Sequence, residues 1–358
     1  MRLADRYWHH WFEGADYDLK EFVESRFLDS PDCSPRMTDR ATARHGLGFW
    51  RVKHLREWIP RDGPELGYPL AIRKHLNLLR SFDAPKRMPA LQIRRKSDPV
   101  SVHFMAGESH WHLTCFCMYS LLRHSSLNLI PILHDDGTLR SHQWGEMRRI
   151  IPYLQRITTE QATALVDAHL PSARFPALRK MRDRLPLMRK ILDVHAGGSG
   201  RGLFLDSDIL FYREPVFLNR WLCEGRQPVY MQDFQDSYGY PADVLRAVFG
   251  RSMPPRVNTG ISGFYSPSID WERLEYWASR LPAGELNHFA EQALTAMLMS
   301  ESGGEPAPPE DYLISPERRE VRNPRAVMHH YVVPSRTWYY IDAIPQFLKR
   351  ALADSALS

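Results

Sequence analysis

The rhythm of apolar and polar positions changes near residue 99. Before it, no long period holds. Trp8, Trp11 and Phe12 recur at three- and four-residue intervals, as along one face of a short helix. Phe49, Trp50 and Trp58 add aromatics among Pro and Gly breaks at Ser34-Pro35, Gly46, Gly48, Asp62-Gly63-Pro64 and Gly67-Tyr68-Pro69. Short helices whose aromatics dock on a larger body fit this stretch. From Pro99 onward the pattern is regular. Val100–Gly107 reads as a strand ending in a turn, and Ser109 can cap a helix running to about His124 with Trp111, Cys115, Met118, Leu121 and Leu122 on one face. Leu127–Leu133 reads as a strand, closed by the turn Asp135-Asp136-Gly137, and Gln143–Leu154 as a helix. Leu178–Val194 is helical and basic, kinked or split at Pro186. After a Gly-rich turn at 197–202 comes the strand that carries Asp206-Ser207-Asp208. Pro228–Asp233, Val257–Tyr265 and Ala326–Val333 are further strands, Trp271–Arg280 and His288–Met299 helices, and 301–310 a loop. Strands alternating with helices predict an α/β fold with a mostly parallel sheet.

Composition adds limits. The chain has 358 residues, 43% hydrophobic and 25% charged, enough for one large α/β domain or two modest ones. The net charge is +5, and it is uneven: residues 1–100 hold 19 basic and 14 acidic side chains, the remainder 28 of each. Basic and aromatic residues together can bind nucleic acid, but no nucleic-acid motif accompanies them, and no nucleic-acid partner is expected. Cys33, Cys115, Cys117 and Cys223 form no Cys-x-x-Cys pair, so neither a zinc ribbon nor a disulfide framework is expected. No run approaches the roughly 18 apolar residues of a spanning helix, and there is no apolar leader segment, which predicts a cytoplasmic protein.

The chemistry concentrates in Leu203-Phe204-Leu205-Asp206-Ser207-Asp208-Ile209-Leu210. Two carboxylates interrupt an apolar strand. On a strand they would share a face, roughly 6.5–7 Å apart at Cα, and one divalent cation could bridge them. A strand ending at Leu205 with Asp-Ser-Asp as a solvated turn is the alternative. The apolar residues that resume at Ile209 favour the bridged cation. His329 and His330, at the end of a late strand, offer an imidazole as third ligand for a first-row divalent ion, and only one of the two can face the metal. Ligands of open α/β sheets bind beyond the carboxyl ends of strands, where Ala106-Gly107 and the aspartates both fall. The Gly-rich turn at 197–202 precedes a strand and lacks Gly-Lys-Ser/Thr, so it is a turn and not a phosphate loop.

In this order the residues resemble a GT-A type glycosyltransferase, nearest in pattern to the retaining, nucleotide-sugar-dependent family that includes glycogenin and bacterial lipopolysaccharide galactosyltransferases. The similarity spans about residues 99–340. In that family Asp-x-Asp holds Mn²⁺ (or Mg²⁺) and the diphosphate of the donor, which implies these roles for Asp206 and Asp208. A later His-x-x-Gly-x-x-Lys supplies the third ligand and a phosphate-binding cation. His330 and Arg336 are similar to its ends, with Val333 in place of the Gly. Asn258-Thr259-Gly260 is similar to the family's Asn-Ser-Gly, placing Asn258 and Gly260 at the donor sugar. Glu291-Gln292 is similar to its Asp-Gln pair, with Ala293 where a second Asp often follows. Arg189 or Lys190 would be the basic residue that precedes Asp-x-Asp. The fold implied is a Rossmann-like mixed sheet flanked by helices over residues 96–345, with a mainly helical, basic, Trp-rich extension at 1–95 and a tail at 346–358.

The implied reaction moves a sugar from a nucleotide-diphosphate sugar, most simply a UDP-sugar, to a glycan, lipid or protein acceptor. The leaving diphosphate needs positive charge, which a metal and the guanidinium of Arg336 would give. An inverting enzyme needs a carboxylate base, for which Glu291 and Asp233 are candidates. In a retaining one the departing phosphate can serve as base, with Glu291 or Gln292 orienting the sugar. Retention is favoured by the resemblance. Two rivals remain: a glycosyltransferase-like domain that binds without transfer, and a metal-dependent phosphohydrolase. The second is ranked lower, because Ile209-Leu210 follows the aspartates and a long chain precedes them.

Overall fold

The computed structural model describes residues 55, 57–91, 98–282, 287 and 289–355. The helix face of Trp8, Trp11 and Phe12, the Phe49-Trp50 pair, the breaks at residues 34–48, Cys33 and the helix start at His288 lie outside the described residues. Seven strands form one sheet: β1 Pro99–Ala106, β2 Asn128–Asp135, β3 Gln155–Ile157, β4 Arg201–Leu205, β6 Val229–Gln232, β7 Val257–Tyr265 and β8 Glu305–Pro306, in the order β3-β2-β1-β4-β7-β6-β8. Three more, β5 Ile209–Phe211, β9 Tyr312–Ile314 and β10 Met328–His330, form a second sheet ordered β5-β10-β9. β1 runs parallel to β2 and β4, whereas β7 is antiparallel to both β4 and β6. In this sheet β3, β2, β1, β4, β6 and β8 run in one direction and β7 alone opposes them, so the sheet is mixed, as the family resemblance implies, and still mostly parallel, as the alternation of strands and helices predicts.

Several boundaries differ from expectation for local reasons. The first helix runs Trp111–His124, and its cap is His110 without a side-chain bond, so Ser109 does not cap it. The helix expected at 143–154 is Ser141–Ile150. Pro186 splits its helix into Pro176–Arg184 and Arg189–His195 with a 3₁₀ turn between, because proline lacks the N–H that the ladder needs there. The loop expected at 301–310 contributes Glu305–Pro306 to the sheet edge.

Two apolar cores cover the two faces. One lies under the Trp111–His124 helix, whose residues 111–122 are all buried because the second sheet covers its far side. Ser120 Oγ there accepts the Phe211 N–H (3.1 Å), tying that helix to β5. The other core lies beneath the helices Thr159–His169, Pro176–Arg184, Arg189–His195, Trp271–Ala278 and Ala290–Glu301. Helix Tyr68–Ser81 and the terminal helix Ile344–Ser355 close the first side: Asn77 Nδ2 donates to the Tyr340 carbonyl (2.9 Å), and Phe347 packs on Phe116 and Tyr119. No helix among the described residues is long and apolar enough to cross a membrane.

Candidate active site

The carboxyl ends of β1, β4 and β6 lie along one edge of the sheet, with the beginning of β7 between β4 and β6. Asp206 follows β4 and Asp233 follows β6 at this edge. The β6–β7 register jumps between Tyr230, opposite Ser262, and Met231, opposite Asn258. Residues Thr259–Ile261 of β7 are thereby released from β6, a bulge of the kind that re-aims side chains beside functional sites. On its other side β7 stays with β4: the Gly260 carbonyl accepts the Asp206 N–H (2.9 Å), one step beyond the Leu205–Ile261 pair.

Asp206-Ser207-Asp208 is not part of one continuous strand. β4 ends at Leu205, the three residues form a turn, and Ile209 opens β5 in the other sheet. The apolar residues resume because the chain changes sheets, not because the strand continues. The turn is not solvated either. Asp208 is 8% exposed, and both carboxylates point to a common centre. β10 pairs antiparallel with β5, setting His330 opposite Ile209, and the Tyr331 N–H donates to the Asp208 carbonyl (2.9 Å). This ladder brings the imidazole to the aspartates. His330 Nε2 is 3.1 Å from Asp208 Oδ1 and 3.8 Å from Asp206 Oδ2. The neighbouring His329 faces away, with its ring nitrogens on Glu320 (3.1 Å) and the Tyr331 hydroxyl (3.0 Å).

The ligand atoms of Asp206, Asp208 and His330 lie within 4.8 Å of one another. Two hard carboxylates and one imidazole suit Mn²⁺, or Mg²⁺ less well because of the nitrogen. Each aspartate is also held from its outer side. Lys190 Nζ is 2.7 Å from Asp206 Oδ1, and Arg336 Nη2 donates to Asp208 Oδ2 (2.7 Å). Burial would raise the Asp208 carboxyl's pKa, but the His330 and Arg336 charges override it and hold the carboxyl well below the usual range. Burial likewise opposes the His330 charge, and the two aspartates reverse it, so its pKa is raised. Gly260 lies against the His330 ring so closely that a Cβ there would collide with it.

A second group adjoins the first. Asn258 Nδ2 donates to Asp233 Oδ2 (3.0 Å), and Asn258 Oδ1 accepts the Gly260 N–H (2.9 Å). Burial raises the Asp233 pKa. The Asp233 N–H donates to the carbonyl of Arg256, a residue in left-handed backbone (φ 52°) pinned by its own N–H to Asp236 Oδ1. Glu291 opens the Ala290–Glu301 helix and is 2% exposed. It accepts hydroxyl bonds from Thr259 (2.9 Å) and Thr295 (3.0 Å), and burial raises its pKa while Lys190 pulls the other way. Gln292 Nε2 donates to the Ser237 carbonyl (2.7 Å). Thr259 and Thr295 were not foreseen. Thr295 sits one helical turn after Glu291, a spacing that could have revealed it.

Ala106, Gly107 and Arg189 form a third neighbourhood, joined to the first through Lys190. Gly107 abuts the Asp136 carboxylate, leaving no room for a Cβ, and Arg189 Nη1 donates to the Asp136 carbonyl (3.2 Å). A hollow of about 260 Å³ between helix Val216–Glu224 and β8, lined by Phe217, Arg220, Trp221 and Glu305, contains none of these residues.

No family model matches the chain, and no curated protein matches it in sequence. Solved structures of glycosyltransferases are similar to it. Mouse xyloside xylosyltransferase 1 shares 13% identity over 66% of this chain and 99% of that one, with a TM-score of 0.47. The galactosyltransferase LgtC, bound to donor and acceptor sugar analogs, shares 13% over 71% and 95%, with a TM-score of 0.46. The bifunctional glycosyltransferase WbbM shares 14% over 72% of this chain and 51% of that one, with a TM-score of 0.48.

Proposed function

We propose that this chain is a metal-dependent glycosyltransferase that moves a sugar from a nucleotide-diphosphate donor, with uridine as the favoured nucleotide, to a glycan, lipid or protein acceptor. One observation carries the reading. Asp206, Asp208 and His330 converge at the carboxyl edge of the sheet, with Lys190 and Arg336 around them, a mixture of anionic ligands and fixed cations suited to a metal–diphosphate. Asp206, Asp208 and His330 would hold Mn²⁺ or Mg²⁺. When bound, the ion supplies Lewis-acid stabilisation to the charge that develops on the leaving diphosphate. Arg336 adds a planar fork for phosphate oxygens, and its place on the Val333–Trp338 helix fixes it beside Asp208. Val333 begins that helix, so the position occupied by Gly in the family's loop is helical here.

Asn258 on β7 and Asp233 just after β6 are bonded to each other, and Asn258 to Gly260 beside the His330 ring; they would take hydroxyls of the donor sugar. Both candidate bases for an inverting route are engaged: Glu291 accepts threonine hydroxyls on its two oxygens, and Asp233 accepts the Asn258 amide on Oδ2 and the Phe234 N–H on Oδ1. On the retaining route, favoured by the motif order, Glu291 orients from behind and the departing phosphate takes the acceptor proton. The test is calorimetric titration of UDP into the protein with Mn²⁺ and with EDTA. Binding is expected only with the metal, and Asp208→Asn should weaken it by roughly tenfold or more. Absence of UDP binding in Mn²⁺ would sink the proposal. Metal-dependent binding without release or transfer of sugar from any UDP-sugar would leave a binding domain.

A further inference from the structure

Lys190 is a buried cation bonded to the carboxylate of Asp206, one of the three residues read as metal ligands. It is 5% exposed, lies over the Phe204 ring (5.5 Å), and sits 2.7 Å from Asp206 Oδ1. Arg336 plays the same part for Asp208. The two aspartates therefore carry two fixed positive partners, and the pocket is near neutrality without a metal. A divalent ion entering alone would gain the carboxylates but meet two cations at close range in a poorly screened site. A nucleoside diphosphate changes that balance, because its phosphates offer Lys190 a second anion.

The geometry points to Lys190 as the residue that couples the two ligands: by occupying Asp206 it keeps divalent-metal affinity low in the nucleotide-free protein, and a nucleoside diphosphate raises that affinity by drawing its charge away. This rests on the reading of Asp206, Asp208 and His330 as the metal site. It is a positioning role, since Lys190 acts through Asp206. By reciprocity, whatever UDP adds to Mn²⁺ affinity, Mn²⁺ adds to UDP affinity. Removing the charge should strengthen the metal alone and weaken the link between the two.

The experiment measures Mn²⁺ binding to the full chain by electron paramagnetic resonance, with and without UDP, for wild type, Lys190→Met, Lys190→Gln and Lys190→Arg. Lys190→Met is expected to bind Mn²⁺ roughly tenfold tighter than wild type without nucleotide. The gain that UDP gives to Mn²⁺ affinity should shrink by a similar factor, and Lys190→Arg should behave as wild type. Lys190→Gln keeps a hydrogen bond to Asp206 without the charge, so it reads the same effect if the methionine variant folds poorly. Unchanged or weaker Mn²⁺ binding in the neutral variants, compared without nucleotide, overturns the coupling role. The metal-only measurement needs no nucleotide, so it can succeed or fail independently of whether the protein binds UDP.

Discussion

Gly260 has no side chain, and the His330 imidazole fills the volume a Cβ would need. The glycine therefore acts through contact, not through an unusual backbone angle. Gly260→Ala should push the imidazole off the aspartates while leaving the β4–β7 ladder in place. Mn²⁺-dependent UDP affinity is expected to fall roughly tenfold with an unchanged circular dichroism spectrum, as read by calorimetry. A full loss of structure would mean that Gly260 serves the sheet instead of the histidine. Sequence alone places Asn258 and Gly260 together through their motif, but not the reason for the glycine, because that reason lies on a strand some seventy positions later.

The elements that build the site were legible to different depths. Val257–Tyr265 has the bounds its sequence predicts, since Val257, Thr259, Ile261, Phe264 and Tyr265 carry strand propensity across the interrupting Asn258, Gly260 and Gly263. The Asp-x-Asp segment reads as one strand because a linear pattern cannot register a change of sheet at Ile209. The late strand shrinks to Met328–His330 because Val333-Pro334 starts a helix. Between these elements the π-turn at Tyr339–Ala343 is a joint. Its Asp342, 5% exposed, accepts Arg318 (2.8 Å) and lies 3.6 Å from Arg322 and 4.0 Å from Arg73 of the Tyr68–Ser81 helix. Arg73 and Arg322 are half exposed and add little through screening; the bond to Arg318 dominates. Asp342→Ala should cost about 2–3 kcal/mol, measured by urea unfolding, because it leaves Arg318 near the core without its anion. A cost below about 0.5 kcal/mol would show that the joint holds by apolar packing alone.

Across the molecule, several histidines among the described residues are held in the interior. Burial lowers His103 to about 3, His134 to about 4, His195 to about 3 and His329 to about 4. The folded chain thus keeps these rings neutral where the unfolded chain protonates them, near 6.5. Since the unfolded state binds more protons between about pH 6.5 and 4, stability must fall as pH drops through that window, by up to about 1.4 kcal/mol per pH unit for each ring that stays neutral. His330, Asp233 and Glu291, whose pKas are raised, work in the opposite direction but are fewer than the histidines held neutral. Urea midpoints are expected to decline from pH 7 to pH 5. A flat profile over that range would show that the rings take up protons in the folded state.

The arginine that grips Asp208 stands 128 positions further along the chain, and the strand that brings His330 comes only a few residues earlier. During synthesis at about 5–20 residues per second, β5 waits roughly 6–25 s for these partners. Through that interval an apolar three-residue strand shows an open edge, the situation in which nascent chains associate wrongly. Asp208, immediately before it, then lacks the later His330 and Arg336, while Asp206 already has Lys190, and a carboxylate at the border of an apolar strand discourages edge-to-edge pairing. A residue proposed as a metal ligand would thus guard the growing polypeptide first, and the centre would become competent only once synthesis has passed Arg336.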